Sequence, residues 1–478
     1  MSQHTPIVDR PPLTLATKLL YASGSVGTGI KKSGLATFVM IFYNQVLGVP
    51  AEIVGLALGI ALVVDAFVDP IIGQVSDNFH SRWGRRHPFM YASILPVSLG
   101  FMALWMAPSG WSHQSLFIYL LAFVLMVRIF DTFFEMPAAG LMAELTDGYD
   151  QRTALVSLRY IFGTLGALLM KIAAYRIFLQ PDDNDAAGIL NREGYAHYGI
   201  TAAVVICVAF LAATLGTHHR IPFLHRPRKR RITFVAMARE IVATLNNRSW
   251  MALMASGVFV AIAKGAASGI GLYFAAYFWG LRSHQISLLV VADLVASLLG
   301  AFVSTWVGAR LGKKRAAIVA FVCAVLSSIG PMTLRLVDLM PPNHSDSLFY
   351  ILFGATLVHE FAGMLAAVLL SSMAVDLVED SQIKTGRRSE GLLFAADNLL
   401  QKAVAGIGVF FSGFMLMLVN FPAKARPGSV APEILQALGL AYVLVIAPVY
   451  LAAIFCLFAY RIDRAAHERN LKTLQQQA

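Results

Sequence analysis

Cysteine and charge are both scarce in this chain of 478 residues. Each of the three cysteines lies inside an apolar run, so the sequence predicts neither a disulfide framework nor a cysteine-ligated metal. Charged residues make up only 14% of the chain, where a soluble protein carries about a quarter. The composition therefore argues against a soluble globular protein.

Signatures of catalysis and of ATP hydrolysis are absent as well. No phosphate-binding loop of the form G-x-x-x-x-G-K-[ST] occurs, which argues against an ATP-driven pump. His359 and Glu360 are not followed by a second histidine at the spacing of zinc proteases, because Gly363 stands there. We therefore expect no enzyme and no cofactor.

Long apolar runs dominate what is present. Hydrophobic residues make up 57% of the chain and the mean hydropathy is +0.66. Runs long enough to cross a bilayer recur along the chain and predict an all-α membrane protein of twelve transmembrane helices. Their centres fall near residues 30, 62, 97, 126, 166, 206, 264, 296, 325, 362, 404 and 447. The predicted division is a six-helix bundle over 1–216, a cytoplasmic linker loop over 217–247 and a second six-helix bundle over 248–478.

Basic residues concentrate in alternate loops. They comprise Arg82, Arg85 and Arg86, the runs at 220–231, 310–315 and 384–388, and the tail from Arg461. The positive-inside rule therefore predicts that both termini are cytoplasmic. We expect the protein in the plasma (inner) membrane. The run at 225–231 lies between two spans, which favours membrane lipids over nucleic acid as its partner.

Two acids interrupt the second apolar run. Asp65 and Asp69 lie one helical turn apart on one face, and each costs at least about 2.5–3.5 kcal/mol to place in a bilayer. Pro70 removes one helix hydrogen bond and frees a carbonyl beside them. The pattern predicts an oxygen-rich site for a monovalent metal cation or a proton. A structural pair neutralised by a basic partner is the alternative.

The fourth span carries a second polar face. Thr132 and Glu135 are three residues apart, so a hydroxyl for a Na⁺ shell and a carboxylate for sugar hydroxyls or a cationic headgroup lie together. The alternative for Glu135 is an ion pair with Arg128 or Lys31. We interpret Arg128 and Asp131 as a structural pair on another face.

Several lysines lie deep in the predicted spans. Lys32 and Lys171 are interpreted as reaching back to the membrane surface. Lys402 is too central for that, and we expect it near the acids, where it lowers their proton affinity and can be displaced by a cation.

Three blocks carry a resemblance to a known family. They are residues 65–88, with an acidic pair and a basic loop; residues 132–153; and residues 376–402, ending at Lys402. A weaker copy of the basic loop recurs at 308–315, the matching place in the second half. The chain resembles the major facilitator superfamily, and within it the glycoside–pentoside–hexuronide:cation symporters.

The resemblance implies a fold of two six-helix bundles and a set of site residues. Asp65, Asp69 and Thr132 fall where the family holds Na⁺ or H⁺. The substrate-binding set is Glu135, Arg159, Lys402 and Lys31. The first-span acid of the family is Gly29 here, which we interpret as room for a solute bulkier than a simple galactoside, or as a sign that the solute is bound through different hydroxyls. We expect a glycoside first, and a lysolipid as the alternative.

A third set of charges lies at the predicted cytoplasmic helix ends. The set is Asp77, Arg85, Arg86, Glu144, Arg152 and Glu390. We expect these residues to form the gate that closes the inward side, with topology anchoring as the alternative reading of the arginines.

Overall fold

The computed structural model describes residues 12–146, 149–181, 185, 188–224, 248–385 and 390–460. Side chains are described at these positions except 143, 149, 150, 153, 248, 375, 378–385 and 390–398. Most of the predicted linker (225–247) lies outside this part of the chain, as does the side chain of Glu390. The boundaries of the two predicted bundles stay predictions.

Twelve long helices cross the described part of the chain, at the positions that the apolar runs predict. They are α1 Leu15–Thr37, α2 Ala51–Asn78, α3 His87–Trp105, α4 His113–Leu145, α5 Tyr149–Ala173, α6 Arg192–His218, α7 Arg248–Tyr273, α8 Ser283–Leu311, α9 Lys313–Leu336, α10 Asp346–Thr385, α11 Glu390–Leu418 and α12 Pro432–Phe458. The predicted fold class is confirmed.

Eleven of these helices are long and apolar enough to cross a membrane. The exception is α1, whose sequence carries Lys18, Lys31 and Lys32. It is nevertheless covered by α5 and α6, and its Lys31 and Lys32 pair with Asp131 and Glu135 of α4. Ionisable groups in a membrane helix face the bundle interior, so the low hydropathy of α1 reflects its position beside the centre.

The helices pack as two bundles. In the first, α1 packs on α5 and α6, α3 on α4 and α6, and α2 on α4. In the second, α10 packs on α8 and α9, while α7 packs on α11 and α12. Helices α2 and α11 join the bundles through glycines: a Cβ at Gly55 would lie 3.3 Å from the Cα of Gly413, and one at Gly59 2.9 Å from the carbonyl oxygen of Gly406. Small residues let membrane helices approach this closely.

Three helices finish in a π-helical turn at one end of the molecule. These turns are Phe42–Val46 after α1 and the short helix Val39–Ile41, Ala174–Phe178 after α5, and Phe274–Phe278 after α7. The two bundles meet by hydrogen bonds at this end, which we call the sealed end. The opposite end carries the loop 79–86 and the α8–α9 turn at Gly312, and we call it the basic end.

Candidate functional site

A cavity of about 320 Å³ lies between the two bundles. Its polar lining comes from α1, α2 and α4 on one side and from α7 and α11 on the other. The charged members are Lys31, Lys32, Asp65, Arg128, Asp131, Glu135, Lys264 and Lys402. A volume of this order is typical of a small-ligand site.

The predicted cation-binding residues meet around Asp65, which is the member of the set that lines this cavity. The hydroxyl of Thr132 donates to Asp69 Oδ1 at 2.8 Å, and it lies 3.3 Å from Asp65 Oδ1. From α11 in the other bundle, Lys402 pairs with Asp69 and lies 3.5 Å from Asp65 Oδ2. A hydroxyl and two carboxylates form an oxygen-rich group, and the Lys402 ammonium lies where a cation would bind.

The structure corrects the assignment of Arg128 and Asp131. Arg128 lies 3.4 Å from Asp65 Oδ2, while Asp131 pairs with Lys31 of α1. Both line the cavity, so they are not a structural pair on another face. The sequence contains a pattern that predicts this arrangement. Arg128, Asp131 and Glu135 follow the three- and four-residue spacing of a single helix face.

Glu135 also lies in the cavity wall, and its partner is neither Arg128 nor Lys31. Lys32 Nζ lies 2.7 Å from Glu135 Oε1. Lys32 therefore does not reach back to the membrane surface, and that prediction is wrong. Lys31 lines the cavity as well, but its ammonium is held by Asp131.

Arg159 and Gly29 lie outside this arrangement. Arg159 contacts Tyr21 and Ser25 and does not line the cavity. A Cβ at Gly29 would lie 2.0 Å from the carbonyl oxygen of Gly163, so this glycine is needed where α1 crosses α5. Helix packing therefore explains Gly29, and the interpretation as room for a larger solute is wrong.

The predicted gating residues come together in part. Arg86 Nε lies 2.5 Å from Glu144 Oε1, Arg86 also pairs with Asp77 at 3.0 Å, and Arg85 pairs with Glu144. This network ties the basic ends of α2 and α4 together within the first bundle. Arg152 donates to the carbonyl of Thr146 at 3.0 Å.

The sealed end carries a buried polar network that the sequence analysis missed. It joins Asn44 and Gln45 of the first π-helical turn to Tyr273, Tyr277 and Ala425 of the second bundle, and we call these five residues the seal. The Tyr273 hydroxyl donates to Asn44 Oδ1 at 2.8 Å, and the Ala425 N–H donates to Gln45 Oε1 at 2.9 Å. All five are at most 8% exposed. Buried hydrogen bonds across the two bundles hold this end shut.

Two helical bundles around a charged cavity, closed at one end, define a membrane transporter. A family model for MFS/sugar transport proteins matches residues 20–464, and the chain belongs to that family. Its fold and its relatives are those of transporters rather than enzymes. The major facilitator resemblance of the sequence is thereby confirmed.

Individual relatives agree with this placement. The chain is 28% identical to an uncharacterized symporter of Synechocystis sp., over 97% of each chain. It is 21% identical to the isoprimeverose transporter of Lactiplantibacillus pentosus, over 97% of this chain and 92% of the relative. A solved bacterial homolog of the human lysosomal transporter Spinster, inward-facing and unoccupied, shares the fold with a TM-score of 0.64 at 15% identity, over 96% of this chain and 97% of that one.

Proposed function

We propose that this protein is a cation-coupled symporter that carries a sugar or glycoside across the plasma (inner) membrane by alternating access. The observation that carries the proposal is the Lys402 ion pair with Asp69 and Asp65, which crosses from the second bundle to the first. The relatives named symporter and isoprimeverose transporter support the same reading.

Coupling follows from competition at the carboxylates. Na⁺ binding at Asp65, Asp69 and Thr132, or protonation of an acid, weakens the attraction for Lys402. This removes a bond between the bundles, so the ion changes the balance between the two conformations. A ligand shifts such a balance only by its differential affinity for the two states, and displacing Lys402 supplies that difference.

The solute side of the site lies one helical turn away. Glu135 follows Thr132 by three residues on the same face of α4, so ion and solute can sense each other over a short distance. A carboxylate accepts hydrogen bonds from sugar hydroxyls. Symport requires that each ligand favour the binding of the other, and this proximity provides a route.

Access to the cavity is set by the two ends of the molecule. The seal closes one end with hydrogen bonds that cross from one bundle to the other. We place the basic end at the cytoplasm, as the arginine-rich loops indicate, with both termini on that side. The structure then corresponds to an inward-facing state.

The test is uptake into proteoliposomes by the parent protein and by Asp69→Asn. We expect an inward Na⁺ or H⁺ gradient to drive accumulation of a glycoside by the parent. Asp69→Asn should lose accumulation and keep slow downhill exchange, because it keeps the size of the side chain and loses a charged ligand. Lys313→Gln, which breaks an ion pair within the second bundle, is the matched control and should accumulate normally. Full accumulation by Asp69→Asn would remove these carboxylates from the coupling mechanism.

A further inference from the structure

The charged lining of the cavity has more cations than anions. Five cationic side chains (Lys31, Lys32, Arg128, Lys264 and Lys402) line it, with three carboxylates (Asp65, Asp131 and Glu135). Counting Asp69, which Lys402 holds, brings the acids to four, so the cations still outnumber them.

The acidic and basic side chains of the cavity also differ in how exposed they are. The side chains of Asp131 and Asp65 are only 4% and 10% exposed, whereas those of Lys32 and Lys402 are 52% and 34% exposed. Two of the cations are buried as well, since the side chains of Lys31 and Arg128 are 4% and 14% exposed, and Glu135 is the most exposed of the acids at 22%. The most exposed charges among these ion pairs are therefore the ammonium groups of Lys32 and Lys402. A solute that enters this cavity meets a positive surface.

Of the five cations that line the cavity, Lys264 takes part in none of the ion pairs described above. It is exposed, lies on α7 in the cavity wall, and forms no ion pair with any carboxylate whose side chain is described. Glu360 of α10 interacts with it electrostatically, without such a contact. An ammonium group at membrane depth is costly unless an anion or water compensates it.

We propose that the transported solute carries an anionic group, a carboxylate or a phosphate, and that Lys264 binds that group. The proposal rests on the proposed function in one respect, that this cavity is the solute site. It adds a reason for coupling: a cation that displaces Lys402 from Asp69 releases a second ammonium for the same anion. Cation and anionic solute would then favour each other's binding.

The experiment is thermal unfolding of the purified full-length protein with paired ligands. p-Nitrophenyl glucuronide and p-nitrophenyl glucoside differ only by a carboxylate in place of a hydroxymethyl group. Lysophosphatidic acid and monoacylglycerol form the corresponding pair for a phosphate from a lipid. A ligand that binds the native state stabilises it by mass action, so each titration gives an affinity without any ion gradient.

We expect an anionic member to stabilise the parent more than its neutral partner, and the pair that responds identifies the source of the anion. Lys264→Gln should weaken that binding at least about tenfold, the effect of losing one charge-assisted hydrogen bond. Lys264→Arg should retain it, as should Lys171→Gln, the control at a membrane lysine outside the cavity lining.

Three results would overturn the proposal: equal stabilisation by the neutral partners, stabilisation by neither anion, or an equal loss of affinity in Lys171→Gln. The parent protein decides the first two, so the conclusion does not depend on the folding of a variant. Coupled uptake is measured separately. A failure of gradient-driven accumulation would therefore count against the proposed symport, while thermal unfolding would still measure the preference for anionic over neutral ligands.

Discussion

Lys402→Gln is the substitution that most directly tests competition between a side chain and the coupling ion. In the parent, the Lys402 ammonium holds Asp69 and lies 3.5 Å from Asp65 Oδ2. Glutamine keeps a similar length and removes the charge. Asp65 then retains Arg128 at 3.4 Å, whereas Asp69 loses its cationic partner and keeps the Thr132 hydroxyl.

The expected magnitude follows from the bond that is lost. A hydrogen bond to a charged group contributes about 1.5–3 kcal/mol. The Lys402 side chain is 34% exposed, so solvent screening places the effect at the lower end of that range. Since about 1.4 kcal/mol is a factor of ten, Na⁺ should bind Lys402→Gln about tenfold more tightly than the parent. Without Na⁺ the variant should unfold at a lower temperature, because a carboxylate is left poorly compensated.

The measurement is thermal unfolding during a titration with NaCl, with choline chloride holding the ionic strength constant. Lys313→Gln is a close control, because Lys313 is 36% exposed and pairs with Asp376 at 2.7 Å inside one bundle. The same comparison across pH covers H⁺ as the coupling ion. Equal Na⁺ affinity and an equal pH profile in the parent and in Lys402→Gln would refute the competition mechanism.

Two further substitutions probe the solute site and the seal. Glu135→Gln removes a charged acceptor at constant size, so glycoside binding should weaken about tenfold while the Na⁺ dependence of unfolding persists; unchanged glycoside binding would make Glu135 structural. Tyr277→Phe removes a hydroxyl that lies 2.8 Å from the Ala425 carbonyl oxygen and 3.2 Å from Gln45 Oε1, destabilising the closed seal by about 1–3 kcal/mol. Labelling of Met40→Cys from the sealed end by an impermeant maleimide should then accelerate. Tyr442→Phe, whose hydroxyl bonds Ser328 inside one bundle, should not change it, and equal rates in both variants would refute a role for the seal.

Much of the architecture is determined by local properties of the chain. Hydropathy acts on one segment at a time, so the apolar runs locate all twelve helices, including the polar α1. Helical periodicity is equally local. It places Asp65 and Asp69 on one face of α2 and Thr132 and Glu135 on one face of α4, and the structure brings the two faces together.

Only the tertiary structure decides which charges meet. Lys31 and Lys32 are neighbours in sequence, yet they pair with Asp131 and Glu135 respectively, about 100 residues away on another helix. Successive residues project about 100° apart around a helix, so the packing of α1 against α4 assigns their partners. The position of Lys264 in the cavity and that of Arg159 outside it are likewise set by helix rotation within each bundle. The seal depends on the approach of two π-helical turns more than 200 residues apart, and no local pattern encodes that distance.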